Sequence, residues 1–364
     1  MLVAVGRTEK PPLAVEWIWG GDTPAFASIG SDGLLLWTLQ DSFLEQRSVP
    51  LSDREPGLPC TALTVDPSGV LLVAEAPEKA TASGSNSESH TRVWHIEVAD
   101  GEEGVSASMV QVAVIPGSST VTGMAASEHH ALVGTDQGTL IRFSLSAEPG
   151  MSDVVVATSA STIWFVGMQA LAVSPGVGAS LAAAGWRDRF VVFPAPWDDP
   201  SCTAIAEYDV PLRDGDHELD GDRNSLSPDV PALLAFVGSG TKLLTYSSPL
   251  LLGAVLVFDY RLSAVVRRVR IPQMVRSLAL SPDGELLLLG TMKRGAFMVH
   301  LASGNTEFLD GHTQGPVTAV AFSSDGRYAV TAASSVLMMW DAPTLLRKLK
   351  PPPPPPPPRT VWDV

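Results

Sequence analysis

The chain contains 364 residues, of which 45% are hydrophobic and 17% charged, and its formal net charge is −15. Together with a mean hydropathy of +0.18, this composition excludes a wholly disordered protein. The length allows either two or three domains or one large all-β domain. The acidic balance disfavours nucleic acid and anionic membrane surfaces as partners.

The cysteine content and the distribution of apolar residues exclude further classes of protein. The two cysteines, Cys60 and Cys202, are too few for a disulfide framework or a multi-cysteine zinc site. The longest uncharged apolar run, residues 249–258, is much shorter than the roughly 20 residues that a membrane-spanning helix needs. The first six residues lack the features of a signal peptide. We therefore expect a soluble protein of the cytoplasm.

Short turns rich in aspartate, serine and glycine recur between apolar runs. They lie at residues 66–69, 238–240, 281–284 and 323–326. Each fits a β-hairpin connection, because aspartate starts a turn with a side-chain hydrogen bond and glycine accepts a positive φ. The neighbouring runs, among them 265–271, 275–280 and 317–322, are short, which predicts strands. Since no long stretch carries helical spacing, the predicted fold class is all-β.

The apolar runs end on a bulky residue seven times, at a spacing typical of a repeat. These ends are Trp37, Trp94, Phe143, Phe193, Phe258, Val299 and Trp340. The last two spacings are 41 residues, within the roughly 40–45 residues of a four-stranded propeller blade. Longer spacings need inserted loops, and we predict two of them in the polar segment 77–91 and the acidic segment 208–229.

Three segments resemble WD40 repeats. In the last one, 27 residues separate Gly311-His312 from Trp340-Asp341, and Asp325-Gly326 lies in the expected hairpin turn. Residues 134–143 and 29–37 are similar to the passage from the second to the third strand of such a repeat.

The resemblance implies a fold and a set of structural positions. The fold is a seven-bladed WD40-type β-propeller of four-stranded antiparallel blades over residues 1–350. The structural repeat positions that it implies are His312, Thr331, Trp340, Asp341, Asp325, Trp37 and Asp136. Only the last repeat has both dipeptides, and residues 333–336 carry serines where the family usually places an aspartate. We therefore expect the blades to depend mainly on apolar packing.

The two ends of the chain carry further predictions. Residues 2–6 are predicted to close the ring as a strand, and residues 345–350 to form the outer strand of the seventh blade. Pro351–Pro358 is predicted to be a polyproline II rod, either a spacer or a ligand for an SH3, WW or profilin-like domain. Residues 359–364 resemble the end of a further WD repeat, so we expect the chain to be a fragment of a longer WD-repeat protein.

Charge is divided unevenly along the chain. Residues 1–260 have a net charge of −20, whereas residues 261–364 have a net charge of +5. The candidate partner-binding residues of this basic sector are Arg267, Arg268, Arg270, Arg276, Lys293 and Arg294. The sector either faces an acidic protein, such as a tubulin tail, or neutralises the acidic segment of the same chain.

No set of side chains in the sequence indicates catalysis, a cofactor or a metal. The acids at residues 214–222 lack the order of an EF-hand loop. The sequence therefore predicts a non-enzymatic scaffold that binds other proteins. One alternative is a microtubule-associated or ciliary WD-repeat protein of the cytoskeleton. Another is a propeller hydrolase with a central metal, which is disfavoured because the predicted inner strands are mainly apolar.

Overall fold

The structure is a computed structural model. It describes residues 1–19, 24–50, 59–66, 69–75, 90–101, 104–116, 120–127, 130–145, 155–157, 168–174, 181–195, 204–210, 231–238, 243–293 and 295–350. The predicted polyproline rod and the segment 359–364 lie outside these residues, and so do Arg294, Cys202 and most of the two predicted loops.

The described residues are mostly in short strands. The first thirteen are β1 (Leu2–Arg7), β2 (Pro12–Trp19), β3 (Ala25–Gly30), β4 (Gly33–Gln40), β5 (Phe43–Val49), β6 (Cys60–Val65), β7 (Leu71–Glu75), β8 (His90–Gly101), β9 (Gly104–Pro116), β10 (Val121–Ala126), β11 (His130–Thr135), β12 (Leu140–Ser144) and β13 (Val155–Ala157).

The second half of the chain continues the same pattern. Its strands are β14 (Ala170–Val173), β15 (Leu181–Gly185), β16 (Arg189–Pro194), β17 (Ala206–Asp209), β18 (Leu233–Phe236), β19 (Leu243–Ser247), β20 (Ala254–Asp259), β21 (Ala264–Arg270), β22 (Val275–Leu280), β23 (Leu286–Thr291), β24 (Ala296–His300), β25 (Thr306–Leu309), β26 (Val317–Phe322), β27 (Tyr328–Ala333) and β28 (Val336–Asp341). A 3₁₀ turn covers Pro249–Leu251, and one α-helix, α1, covers Ala342–Leu349.

The strands form a propeller-like arrangement of small antiparallel sheets. Five sheets have four strands each, in the orders β6 to β9, β10 to β13, β14 to β17, β18 to β21 and β22 to β25. The sixth has eight strands in the order β2-β3-β4-β5-β1-β28-β27-β26. We call each four-stranded sheet a group of strands and divide the eight-stranded sheet into two groups, β2 to β5 and β26 to β28 with β1. The first strands of these groups contact one another in a closed cycle, from β2 through β6, β10, β14, β18, β22 and β26 back to β2. The prediction of an all-β propeller is confirmed at this level.

The strand predictions agree closely with these elements. The predicted strands 275–280 and 317–322 coincide with β22 and β26, and the prediction 265–271 is shifted by one residue from β21. All seven predicted bulky ends lie in the third strand of their group, namely β4, β8, β12, β16, β20, β24 and β28. The loop predictions extended too far, because residues 90–91 belong to β8 and residues 208–209 to β17.

Two described hairpin turns share one hydrogen-bond pattern. Ser323 Oγ donates to Asp325 Oδ1 over 2.6 Å, and the same carboxylate accepts from Arg327 N. The turn after β22 repeats this arrangement with Ser281, Asp283 and the backbone N–H of Glu285. Each turn then places a glycine at positive φ, which explains the serine, aspartate and glycine pattern of the sequence.

The predicted outer strand at residues 345–350 is wrong, because this segment is mostly helix α1. Asp341 caps the helix, since its Oδ1 accepts a hydrogen bond from Thr344 N over 2.9 Å. Pro343 fits the first turn, and Arg347 and Lys348 lie in the last turn, where cations are favoured. The strand beside β28 is instead β1.

Strand β1 joins the two ends of the chain, as the sequence predicts. It pairs antiparallel with β28, from Leu2 opposite Trp340 to Arg7 opposite Val336. Thr8 N extends the pairing with a 3.0 Å hydrogen bond to Ser335 O. On the inner side, Thr318 Oγ1 of β26 donates to Pro12 O over 2.7 Å. The first and last parts of the described chain are therefore held together in two places, at β28 by strand pairing and at β26 by a side-chain hydrogen bond.

We expect removal of residues 1–7 to lower the unfolding temperature and to promote aggregation. Without β1, the backbone of β28 becomes an unpaired edge and the side of β5 loses its neighbour. Differential scanning fluorimetry and light scattering measure both effects. A synthetic peptide of residues 1–10 added in trans should restore the unfolding temperature. An unchanged unfolding temperature in the shortened protein would show that β1 does not close the structure.

Candidate functional site

A buried set of hydrogen-bonded polar side chains lies in the last repeat. His312 Nε2 lies 2.7 Å from Thr331 Oγ1, and Trp340 Nε1 donates to the same hydroxyl oxygen over 2.9 Å. All three side chains are buried. Three of the predicted repeat positions are therefore brought together in one hydrogen-bonded chain that links the loop before β26 to β27 and β28.

The chain of hydrogen bonds stops at His312. Burial lowers the pKa of His312 to about 4, so the imidazole is neutral at pH 7. Its Nδ1 is buried and has no hydrogen-bond partner among the residues that the structure describes. The turn at residues 334–335 carries two serines, and the Oγ of Ser334 donates to Gln314 O over 3.2 Å. This turn therefore has no aspartate side chain that could extend the chain of hydrogen bonds, as the sequence predicts.

Trp37 has a similar partner that the sequence analysis missed. Its Nε1 donates to Ser28 Oγ over 2.8 Å, and both side chains are buried. Ser28 lies nine residues before Trp37, just as Thr331 lies nine residues before Trp340. This shared interval between a hydroxyl and a tryptophan is the sequence signal that could have identified Ser28.

The other groups replace this polar pair with different side chains. In the strand register, the residues equivalent to Ser28 and Thr331 are Glu75, Val133, Ala184, Tyr246 and Leu289. Tyr246 keeps a hydrogen bond, because its hydroxyl donates to Trp186 O over 2.6 Å. Three of the five are apolar, so packing takes the place of hydrogen bonds there.

The predicted aspartates act on nearby backbone. Asp136 Oδ1 accepts from Thr120 N over 3.0 Å, which ties the turn after β11 to the residue before β10. Asp32 makes the equivalent bond with Lys10 N over 2.9 Å, and Lys10 Nζ lies 3.6 Å from its other oxygen. Asp325 organises a hairpin turn and Asp341 caps α1, as described above. These four carboxylates therefore have a structural role, which is to position loops.

The structure divides the candidate basic residues between two places. Arg267, Arg268 and Arg270 lie on β21, the last strand of its sheet, and the latter two are exposed. Arg276 lies on β22, the first strand of the next sheet, and is partly buried. Lys293 follows β23 in a turn, and Arg294 lies outside the described residues. The structure therefore groups only three of the six.

Two further titratable groups are shifted by burial. Glu16 lies on β2, in the innermost layer, and burial raises its pKa to about 7. Burial raises the pKa of the Cys60 thiol to about 12, with a smaller contribution from Glu75, so this thiol is a poor nucleophile.

Within the described ranges, no three His, Cys, Asp or Glu side chains are grouped to hold a metal ion. No helix in the same ranges is long and apolar enough to cross a membrane.

We expect Thr331→Val to destabilise the protein more than Ser28→Ala. The first change leaves both His312 and Trp340 Nε1 without their partner, whereas the second leaves only Trp37 Nε1. At about 1–3 kcal/mol for each buried polar group left unpaired, the expected losses are roughly 2–6 and 1–3 kcal/mol. Urea unfolding followed by tryptophan fluorescence measures both. Equal losses would contradict the shared role of the Thr331 hydroxyl.

Comparison with known proteins identifies relatives over most of the chain. Residues 303–341 match the family model WD40, described as WD domain, G-beta repeat. A Chlamydomonas reinhardtii protein named Centriole proteome protein 16 is 32% identical over 640 aligned positions, which cover 95% of this chain and 30% of the relative. WD repeat-containing protein 90 of Homo sapiens is 30% identical over 115 residues, which cover 32% of this chain and 6% of the relative.

The mouse protein of the same name gives a similar, shorter match. It is 29% identical over 87 residues, which cover 24% of this chain and 5% of the relative. The chain thus spans less than a third of the length of each of these relatives. The matched family model includes His312, Thr331 and Trp340, the residues of the hydrogen-bonded chain. The resemblance of this chain to the WD40-repeat family is confirmed, and residues 303–341 match its repeat.

Proposed function

We propose that residues 1–350 form one seven-bladed propeller of four-stranded blades. The closed cycle of seven first strands supports this count. The eight-stranded sheet then represents two blades, because a single parallel pair, Val5 with Phe43, joins β1 to β5. Residues from its two ends also pack face to face, as Trp17 of β2 stacks on Tyr328 of β27 with ring centroids 6.1 Å apart. Ordinary neighbours within one sheet do not pack in this way.

Within this ring, we propose a non-enzymatic scaffold of the centriole or cilium that binds other proteins. The observation that carries this proposal is the match of 95% of the chain to a relative named as a centriole protein. The buried hydroxyls of Ser28, Thr331 and Tyr246 support it, because their hydrogen bonds serve to hold strands and loops. A rigid ring presents several independent loop faces to partners. The location that follows is the cytoplasm, at the microtubule cytoskeleton.

Proximity labelling in ciliated cells tests the scaffold proposal. The chain fused to a biotin ligase should be enriched at centrioles or axonemes and should label several proteins there. Thr331→Val provides a matched control, since a loosened seventh blade should reduce labelling without removing the fusion protein. A fusion that is folded but evenly dispersed, with no enriched neighbours, would contradict the proposal.

A narrower candidate function is binding of tubulin through its acidic tails. The net charge of +5 over residues 261–364 and the arginines of β21 favour it. We expect the protein to pellet with microtubules at low salt and to pellet less after charge reversal at Arg267, Arg268 and Arg270. Removal of the tubulin tails with subtilisin should have the same effect. A protein that stays in the supernatant at low salt would end this candidate.

A propeller hydrolase with a central metal is the rival from another class. Such chemistry needs several metal ligands at the ends of inner strands. The described first strands are mainly apolar, and Glu16 is the single carboxylate on them. A stoichiometric divalent ion in the purified protein would favour this rival over the scaffold.

A further inference from the structure

Strand β21 is a basic edge at the outside of the structure. It is the last strand of the sheet β18-β19-β20-β21, so no described strand lies beside one side of its backbone. Three of its seven residues are arginines, and Ala264, Val265 and Val266 are exposed. We call Ala264–Arg270 the β21 ridge. It combines concentrated positive charge with exposed aliphatic surface.

Among the described residues, no carboxylate forms an ion pair with these three arginines, whereas two cations on the neighbouring blades are paired. On the neighbouring outer strand β17, Glu207 is bound by Arg189 Nη1 at 3.5 Å. On the other neighbour, β25, Glu307 is bound by Lys348 Nζ at 3.1 Å. Within the described part of the chain, no carboxylate oxygen lies within ion-pair distance of Arg267, Arg268 or Arg270. Glu207 and Glu307, on the outer strands to either side, therefore have cation partners of their own.

The arginines point to both sides of the strand. Arg267 Nη1 lies 3.1 Å from the position that a Cβ on Gly304 would occupy, next to β25. Arg268 faces the opposite neighbour, because successive side chains of a strand alternate and the adjacent Val269 packs against residues of β23 and β24. Arg270 lies two residues further along and shares the face of Arg268. The backbone positions of Arg268 and Arg270 are separated by about 6.6 Å, since a strand rises about 3.3 Å per residue.

This spacing matches carboxylates at alternate positions of an extended peptide. Guanidinium groups bind carboxylates through two parallel hydrogen bonds, and two such pairs in register would fix the peptide on the strand. Val265 and Val266 are 37% and 50% exposed, and Leu262 in the preceding turn is 70% exposed. A peptide with aliphatic residues beside its acids would cover them.

A second copy of this chain is a poor occupant of the ridge. Two β21 strands side by side would bring arginines against arginines. The irregular pairing between Val257 and Phe258, opposite Arg267 and Val265, also places an extra residue, Val266, in the strand. Such bulges and charges protect an edge strand from pairing with another sheet. The ridge is therefore suited to recognition through side chains, by a partner of opposite charge.

We infer that the β21 ridge is a docking site for an extended segment of another protein that carries carboxylates at alternate positions with aliphatic residues among them. The inference rests on the proposed scaffold function and names the chemistry of one partner. Arg268 and Arg270 hold the two carboxylates, Arg267 adds a third cation on the other face, and Val265 with Val266 contacts the aliphatic side chains.

A fluorescent ten-residue peptide with glutamate at alternate positions and valine or serine between them tests the site. We expect saturable binding in fluorescence anisotropy that weakens with added salt, and at least tenfold weaker binding to Arg268→Glu/Arg270→Glu. A peptide of the same composition with its glutamates in one block should bind less well. Arg7→Glu, an exposed arginine on the outer strand β1, is the matched control and should bind like the wild type.

Unchanged binding by the double variant would overturn the inference. Equal displacement of the peptide by a single-stranded DNA oligonucleotide of the same charge would also overturn it, because the ridge would then be a general cation surface. If the reversal variant fails to fold by circular dichroism, Arg268→Gln/Arg270→Gln replaces it, with the same expected loss. Peptide binding does not depend on cellular location, so a dispersed fusion protein with an intact peptide site would contradict the scaffold proposal alone.

Discussion

The fold depends on the burial of both faces of each small sheet by its neighbours. Several second strands are buried along their whole length, namely β3, β7 and β23. The described apolar core divides into seven clusters, each between two successive groups of strands, and the one between the ends of the chain includes Trp17 and Trp37. At about 25 cal/mol per Å² of buried apolar surface, this packing is the main stabilising contribution. It also requires closure, because an end group without a neighbour would expose an apolar face.

This constraint explains why the repeats tolerate the loss of their polar positions. The buried hydroxyl that bonds a tryptophan is present at Ser28 and Thr331, and Tyr246 replaces it with a different bond. At three of the remaining equivalent positions, Val133, Ala184 and Leu289, aliphatic residues fill the space, and the fourth is Glu75. A single hydrogen bond contributes only about 1 kcal/mol net, so a blade that packs well loses little when the pair is replaced.

The sequence predicts the strands of this fold better than its ends and its sites. Strands such as β22 and β26 are flanked by turns whose side chains determine the turn geometry locally, so their limits can be read from neighbouring residues. Helix α1 was missed because its apolar residues also suit an outer strand, and the choice depends on Asp341 as a cap and on β1 occupying the strand position. The grouping of Arg267, Arg268 and Arg270 apart from Arg276 depends on which strand is last in its sheet, and residue spacing alone does not contain that information.

The pairing of β1 with β28 has a consequence for synthesis on the ribosome. Arg7 pairs with Val336, so β1 leaves the ribosome long before the strand that it pairs with. At roughly 5–20 residues per second, it waits about 15–65 s for its partner. During that time its apolar residues must stay away from the edges of sheets that have already formed. Folding of this chain is therefore subject to a delay set by translation, and slower translation would lengthen the period in which β1 can pair with the wrong edge.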